Sequence, residues 1–216
     1  MFQIITIELH FNPFQKILHH LGISTNWNSL IKRIKVIIVK SKTNRKTLDD
    51  KPLHETFVKF GVPRELEEEA VRLYRVRYIP IGKYENHPYP GIPELLEKLR
   101  AQGYDLYVAT SKPEEMSVDI LKKFGLDHYF SRICGASMDA SRSNKEDVIA
   151  YLLQQCDPDG EVIMVGDTKY DVLGAKFHGI PCIGVAWGYG EVADLEESGA
   201  AAIVDTMEAL FAALNQ

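Results

Sequence analysis

Asp167 and Asp171 stand four residues apart in Val165-Gly166-Asp167-Thr168-Lys169-Tyr170-Asp171, directly after an apolar, β-rich run. Two carboxylates that leave a strand and open a helix can share one Mg2+, a hard cation that takes oxygen ligands and keeps water or substrate phosphate in the rest of its shell. The same residues also read as a capping box of Thr168 with Asp171, leaving Asp167 exposed and idle. A second apolar run ends in Thr110-Ser111-Lys112-Pro113, which places hydroxyls and backbone amides at the start of a helix, a ready anion site. The alternative there is that Ser111 is an ordinary N-cap ahead of Pro113. Lys145 lies in Ser143-Asn144-Lys145-Glu146, where Ser143 and Glu146 form a second capping-box pattern. A cation in the first helical turn opposes the helix dipole at a cost of about 0.3–1 kcal/mol, so it makes more sense beside a bound anion, although a surface lysine would bear the same cost.

These residues need elements to position them. From residue 88 onward short β-rich runs alternate with helical patterns, as in parallel βαβ units. The expected strands are Asp105–Ala109, Ile133–Ala136, Glu161–Gly166, Pro181–Ala186 and Ala202–Val204. Ile92, Leu95, Leu96 and Leu99 repeat at helical spacing around Pro93 and stop at Gly103, and Met116, Ile120 and Phe124 do so behind Pro113 and stop at Gly125. Val148, Ile149 and Leu152 mark a third helix; Val172, Ala175 and Phe177 mark a fourth, closed by Gly179. The pattern predicts a Rossmann-like open parallel α/β sheet, in which ligands bind beyond the carboxyl ends of the strands, where Thr110 and Asp167 fall. Residues 51–86 read as a small helical insertion whose run Arg64–Tyr78 carries Leu66, Ala70 and Leu73 on one face. The expected division is therefore 1–50, 51–86 and 87–216.

The 216 residues are enough for one generous domain with an insertion, and 45% hydrophobic with 25% charged residues excludes collagen-like, coiled-coil and wholly disordered chains. The longest apolar stretches, such as Ile34–Val39, fall well short of the roughly 18 residues of a membrane helix, so no membrane association is expected. Cys134, Cys156 and Cys182 are widely spaced and odd in number, and the start shows no signal peptide, which points to a reducing, cytoplasmic setting. Residues 1–50 carry eight basic against three acidic side chains, a net of +5 in a chain whose total is -5. Seven of these bases crowd Lys32–Lys46; such a run can attract nucleic acid or an anionic membrane surface, but it reads first as a solvated or disordered face, and no nucleic-acid partner is expected.

Taken in order, Val108-Ala109-Thr110-Ser111-Lys112-Pro113, Lys145 and Val165–Asp171 resemble motifs II, III and IV of the haloacid dehalogenase superfamily of phosphohydrolases. Pro90-Gly91-Ile92, Lys122–Asp127, Ile180-Pro181 and Gly184-Val185-Ala186-Trp187-Gly188 are similar to the phosphoglycolate phosphatase branch and its 5′-nucleotidase-like relatives, and the resemblance covers residues 51–216. It implies a Rossmann-like core, a small α-helical cap over residues 51–86, and Mg2+-dependent hydrolysis of a small phosphorylated metabolite such as phosphoglycolate or a nucleoside monophosphate. By that likeness Thr110 and Ser111 bind the phosphoryl group, Lys145 stabilises its charge and the nucleophile, and Asp167 and Asp171 hold the metal. His54, Glu55, Arg75 and Arg77 of the cap are candidates for substrate choice.

The family's first motif is where the sequence departs. Residues 1–50 contain no Asp-x-Asp, and in Ile4-Ile5-Thr6-Ile7-Glu8-Leu9-His10-Phe11 the positions of the nucleophile and the proton shuttle fall on Glu8 and His10. Glu8 carries an extra methylene, and a misplacement of about 1 Å can cost about 100-fold in rate. Three readings stay open: a replaced or corrupted start with little activity, a non-catalytic phosphate- and Mg2+-binding module, and a working Glu8 nucleophile. If residues 1–50 supplied no central strand, the sheet would be left with unpaired edges and the fold would be marginal.

Overall fold

Leu106 and Val108 face one apolar core while Tyr107 and Ala109 between them face another, and Met164 and Val165 divide in the same way. A strand covered on both faces is what a parallel sheet requires, because its crossover helices lie on either side. The computed structural model describes residues 2–5, 10–11, 57–58, 62–139, 141–156 and 160–215. The chain divides into two units, Met1–His10 with His87–Gln216, and Phe11–Asn86.

The first unit is built on β1 (Phe2–Ile5), followed at the passage between units by the two-residue strands β2 (His10–Phe11) and β3 (Asn86–His87), which pair with each other. Then come β4 (Asp105–Pro113), β5 (Arg132–Ala136), β6 (Val162–Gly166), β7 (Cys182–Val185) and β8 (Ala202–Val204). Strands β1 and β4 to β8 form a six-stranded sheet in the order β5-β4-β1-β6-β7-β8, with all of its strands parallel. Phe2–Ile5 occupies the middle of that sheet, with Ile4 opposite Tyr107 on one side and Met164 on the other, so the centre is filled and the condition for a marginal, unpaired sheet is not met.

The helices, in chain order, are α1 (Glu67–Tyr78), α2 (Ile92–Ala101), α3 (Glu114–Lys123), α4 (Lys145–Cys156), α5 (Lys169–Phe177), α6 (Val192–Ser198) and α7 (Met207–Leu214). Leu95, Leu96 and Leu99 of α2, Ile120 of α3 and Leu210 and Leu214 of α7 share one core with Leu106, Val108, Val165 and Ile183. Val148, Ile149 and Leu152 of α4, Val172 and Ala175 of α5 and Leu195 of α6 share the other with Tyr107, Ala109, Cys134, Met164 and Cys182. The result is a three-layer, doubly wound unit with the carboxyl ends of its strands along one edge.

Two local expectations are corrected. Strand β4 runs past Ala109 to Pro113, and its pairing with β5 jumps from Thr110 opposite Gly135 to Pro113 opposite Ala136, so Ser111 and Lys112 are the extra residues of a bulge. Helix α3 consequently starts at Glu114 with Pro113 as its N-cap, and Ser111 caps nothing. Helices α6 and α7 are additions to the expected elements; Thr206 caps α7 by accepting from the Ala209 amide at 3.1 Å.

In the second unit, Phe57, Val62, Ala70 and Val71 form a small core with Tyr74 packed against it. The buried side of α1 is therefore Ala70, Val71 and Tyr78, and Leu66, expected on that face, is exposed because it lies in the short turn before the helix. Tyr74 stacks on Tyr78 with ring centres 4.9 Å apart, and Arg77 makes a two-pronged ion pair with Glu85 at 2.8 and 2.9 Å. Arg77 is thereby committed within the unit and Arg75 is exposed, while His54 and Glu55 lie outside the described residues.

Candidate functional site

The carboxyl ends of β4 and β6 carry the residues that matter. Asp167 follows β6 directly and is 4% exposed. The amide of Tyr189 donates to its Oδ2 at 2.7 Å, and the amide of Gly190 donates to its main-chain oxygen at 3.0 Å. A Cβ at Gly188 would collide with the Asp167 carboxylate and one at Gly190 with its carbonyl, so the loop 188–190 folds this closely only because both residues are glycine. Oδ1 of Asp167 is buried and has no hydrogen-bond partner. Burial first, and the negative charge of Asp171 second, push the Asp167 carboxyl up to about 6, against the pull of the Tyr189 amide and of Lys145.

Asp171 is deeper still, and both of its oxygens are engaged. Oδ2 accepts from the Asp167 amide (3.2 Å), the Thr168 amide (3.0 Å) and the Thr168 hydroxyl (2.8 Å), which is the capping arrangement at the start of α5. Oδ1 faces Nζ of Lys145 at 2.7 Å. Gly166 makes this possible, since a Cβ there would overlap the Asp171 side chain.

Lys145 reaches this pair from the first residue of α4, and its ammonium also donates to the Ala109 carbonyl at 3.0 Å. That carbonyl is joined by one peptide bond to Thr110, a buried residue whose Oγ1 accepts from the Lys112 amide at 3.2 Å and keeps its own proton to donate. The cap of α4 is not the expected pair of Ser143 and Glu146: the Asp147 amide donates to Asn144 Oδ1 at 2.8 Å, so the cap falls one residue later and leaves Lys145 at the first helical position.

The fold thus brings Lys145, Asp171, Asp167 and the Thr110 end of β4 together, and leaves Ser111 exposed on the bulge. Glu8 lies outside the described residues, and of His10 only the backbone, in β2, is described. Residue spacing did not reveal the loop 188–190 or Asn144; a Gly-x-Gly placed just after a strand is the one signal that pointed toward the former. A second group supports the β5 end: Glu114 Oε2 accepts from the Gly135 amide and from Arg142, both at 3.1 Å, and Arg142 donates to the Gly135 carbonyl at 2.7 Å while its guanidinium covers the Tyr151 ring. Cys134 and Cys182 are unpaired and buried, and burial pushes both thiols up to about 12, which makes them inert packing groups.

Among the described residues no three His, Cys, Asp or Glu side chains gather as a metal site. Mg2+ needs only one or two protein carboxylates beside water and substrate oxygens, and the buried, unpartnered Oδ1 of Asp167 fits that need. Asp171, expected to be the second ligand, meets Lys145 with Oδ1 and the loop with Oδ2.

A doubly wound parallel sheet with a buried lysine and two aspartates beyond its carboxyl edge places the chain in the Rossmann-like class of α/β proteins. Residues 19–185 match the sequence pattern of the haloacid dehalogenase-like hydrolases, and the chain belongs to that family. It is 41% identical over 149 residues to the 5′-nucleotidase of Pseudomonas aeruginosa, covering 67% of this chain and 66% of that protein. It is 42% identical over 166 residues to the tyrosine-protein kinase PtkA of Mycobacterium tuberculosis, covering 74% of this chain and 57% of that protein. The chain thus spans less than two thirds of the length of these curated relatives. A crystal structure of a predicted phosphatase from Clostridium acetobutylicum superposes with a TM-score of 0.79 at 30% identity, covering 99% of this chain and 97% of the other.

Proposed function

We propose that the chain is a Mg2+-dependent phosphoric monoester hydrolase acting on a small phosphorylated metabolite, either phosphoglycolate or a nucleoside monophosphate. The observation that carries this reading is the buried cluster at the sheet edge, in which Asp167 keeps one oxygen without a donor while Lys145 is held at Ala109, next to Thr110. Asp167 holds the Mg2+, which when bound supplies charge neutralisation to the phosphoryl oxygens. The Thr110 hydroxyl donates to a phosphoryl oxygen, and the Lys145 ammonium offsets the charge that builds up there. Asp171 aims Lys145 through the 2.7 Å contact of Oδ1 with its Nζ. A carboxylate attacks phosphorus and forms an acyl phosphate while the ester oxygen leaves and takes up a proton as the alcohol; water then attacks that phosphorus and gives up a proton, releasing inorganic phosphate and restoring the carboxylate. Glu8 is the position the sequence offers for this nucleophile.

One observation favours a second reading, a protein that binds phosphate and Mg2+ without hydrolysis. The family match begins at residue 19, beyond Glu8 and His10, and residues 1–50 hold no Asp-x-Asp. Release of phosphate from p-nitrophenyl phosphate, phosphoglycolate and nucleoside monophosphates, run beside Asp167→Asn and with EDTA, decides between the two. Hydrolysis that needs Mg2+ and disappears in Asp167→Asn supports the hydrolase. A folded chain that binds inorganic phosphate and releases none supports the second reading.

A further inference from the structure

Gly174 sits inside α5, where glycine is the poorest helix former after proline, and its presence calls for a local reason. The reason lies on the neighbouring helix α4. A Cβ at position 174 would stand 2.6 Å from Cγ and 2.9 Å from Cβ of Lys145, and 3.3 Å from Cδ1 of Ile149. The Ile149 methyl is the end of a side chain and can turn away. The Lys145 stem cannot. Its root is fixed as the first residue of α4 behind the Asn144 cap, and its tip is fixed by the Ala109 carbonyl at 3.0 Å and Asp171 Oδ1 at 2.7 Å. Both ends of the lysine are held, so any side chain at 174 must displace the part in between.

We propose that Gly174 is a positioning residue for Lys145: the missing side chain forms the slot along which the lysine stem runs from α4 to the sheet edge. Its effect on rate rests on the hydrolase reading above, whereas the slot itself is a matter of packing and is tested separately. A methyl group at 174 either pushes Lys145 off the Ala109 carbonyl or drives α4 and α5 apart, and each moves the ammonium relative to the Thr110 end of β4.

The test uses four full-length chains: wild type, Gly174→Ala, Lys145→Gly and the double variant. Denaturation midpoints and, with p-nitrophenyl phosphate and Mg2+, kcat and KM are measured for each. Gly174→Ala is expected to lower the midpoint of the wild type, yet to raise that of Lys145→Gly, where the stem is gone and alanine is the better helix former. It is expected to lower kcat at least about tenfold while changing KM less than about threefold, and to have no further effect on rate once Lys145 is removed. A kcat within about twofold of wild type, or an equal midpoint change in both backgrounds, overturns the proposal. If the wild type hydrolyses nothing, the hydrolase reading fails and the midpoints alone decide the slot. If Lys145→Gly does not fold because Asp171 is stranded, the same comparison is made in Lys145→Gly/Asp171→Asn.

Discussion

Nζ of Lys145 lies 2.7 Å from Oδ1 of Asp171, in a pair whose side chains are only 4% and 1% exposed. Attraction between charges this deep offsets a large desolvation cost, and neither partner can be removed without leaving the other uncompensated. Lys145→Met is therefore expected to destabilise the protein by about 3–5 kcal/mol in urea denaturation, and Lys145→Met/Asp171→Asn to recover part of that loss. A single variant as stable as wild type would show that the pair is not formed in solution.

Asp167 poses the opposite case. Its buried carboxyl, with one oxygen lacking a donor, has its acidity pushed up to about 6 from the ordinary 3.8, so the folded chain favours the protonated form. The stability this contributes is fully present below the unfolded value and is lost as pH rises through about 6, because the unfolded carboxyl releases its proton first. Without metal, Asp167→Asn is expected to be inactive yet more stable than wild type at pH 7.5, by an amount on the order of 1–3 kcal/mol that shrinks as pH falls toward 4. Melting curves in EDTA from pH 4 to 8 check this; a gap that does not vary with pH would contradict it.

Gly188 is predicted to set the affinity for metal. Alanine there strikes the Asp167 carboxylate that the Tyr189 amide holds. Gly188→Ala should raise the Mg2+ concentration needed for half-maximal phosphate release by roughly 10- to 100-fold, the range seen when a group supporting a metal ligand is lost. An unchanged Mg2+ titration would mean that the loop has no part in orienting Asp167.

Arg142 ties the loop after β5 to α3 and α4 by a fork to Glu114 and the Gly135 carbonyl and by its stacking on Tyr151. These demands suit a planar guanidinium and no ammonium. Arg142→Ala and Arg142→Lys are both expected to cost about 1–2 kcal/mol and to speed hydrogen exchange at Gly135 and Ser137. Full rescue by lysine would show that charge alone is at work.

Much of this was legible in residue order, and the reason is locality. Leu95, Leu96 and Leu99, or Val148, Ile149 and Leu152, reveal their helices because each buried face is written within a few turns. Thr168 and Asp171 likewise close on each other across three residues, so the capping box expected there is present, while Asp167 beside it is buried rather than exposed. What was not legible depends on partners far along the chain. Ser111 looks like a helix cap until β5 pairs alongside and draws the strand on to Pro113. The Tyr189 amide meets Asp167 from 22 residues away, and Gly174 meets Lys145 from another helix. Leu66 was misplaced because the helix begins one residue after it, and the cap of α4 shifted from Ser143 to Asn144 for an equally small reason.

The central place of β1 has a kinetic meaning. Phe2–Ile5 is made before its partners, and Ile4 gains its two neighbours only when Tyr107 and then Met164 have been made, more than a hundred residues later. Pairings so distant in sequence are slow to form, and until the second arrives the nascent sheet keeps a bare edge down its middle. Synthesis past β6 is thus the moment at which β1 stops being a template for wrong strand pairing.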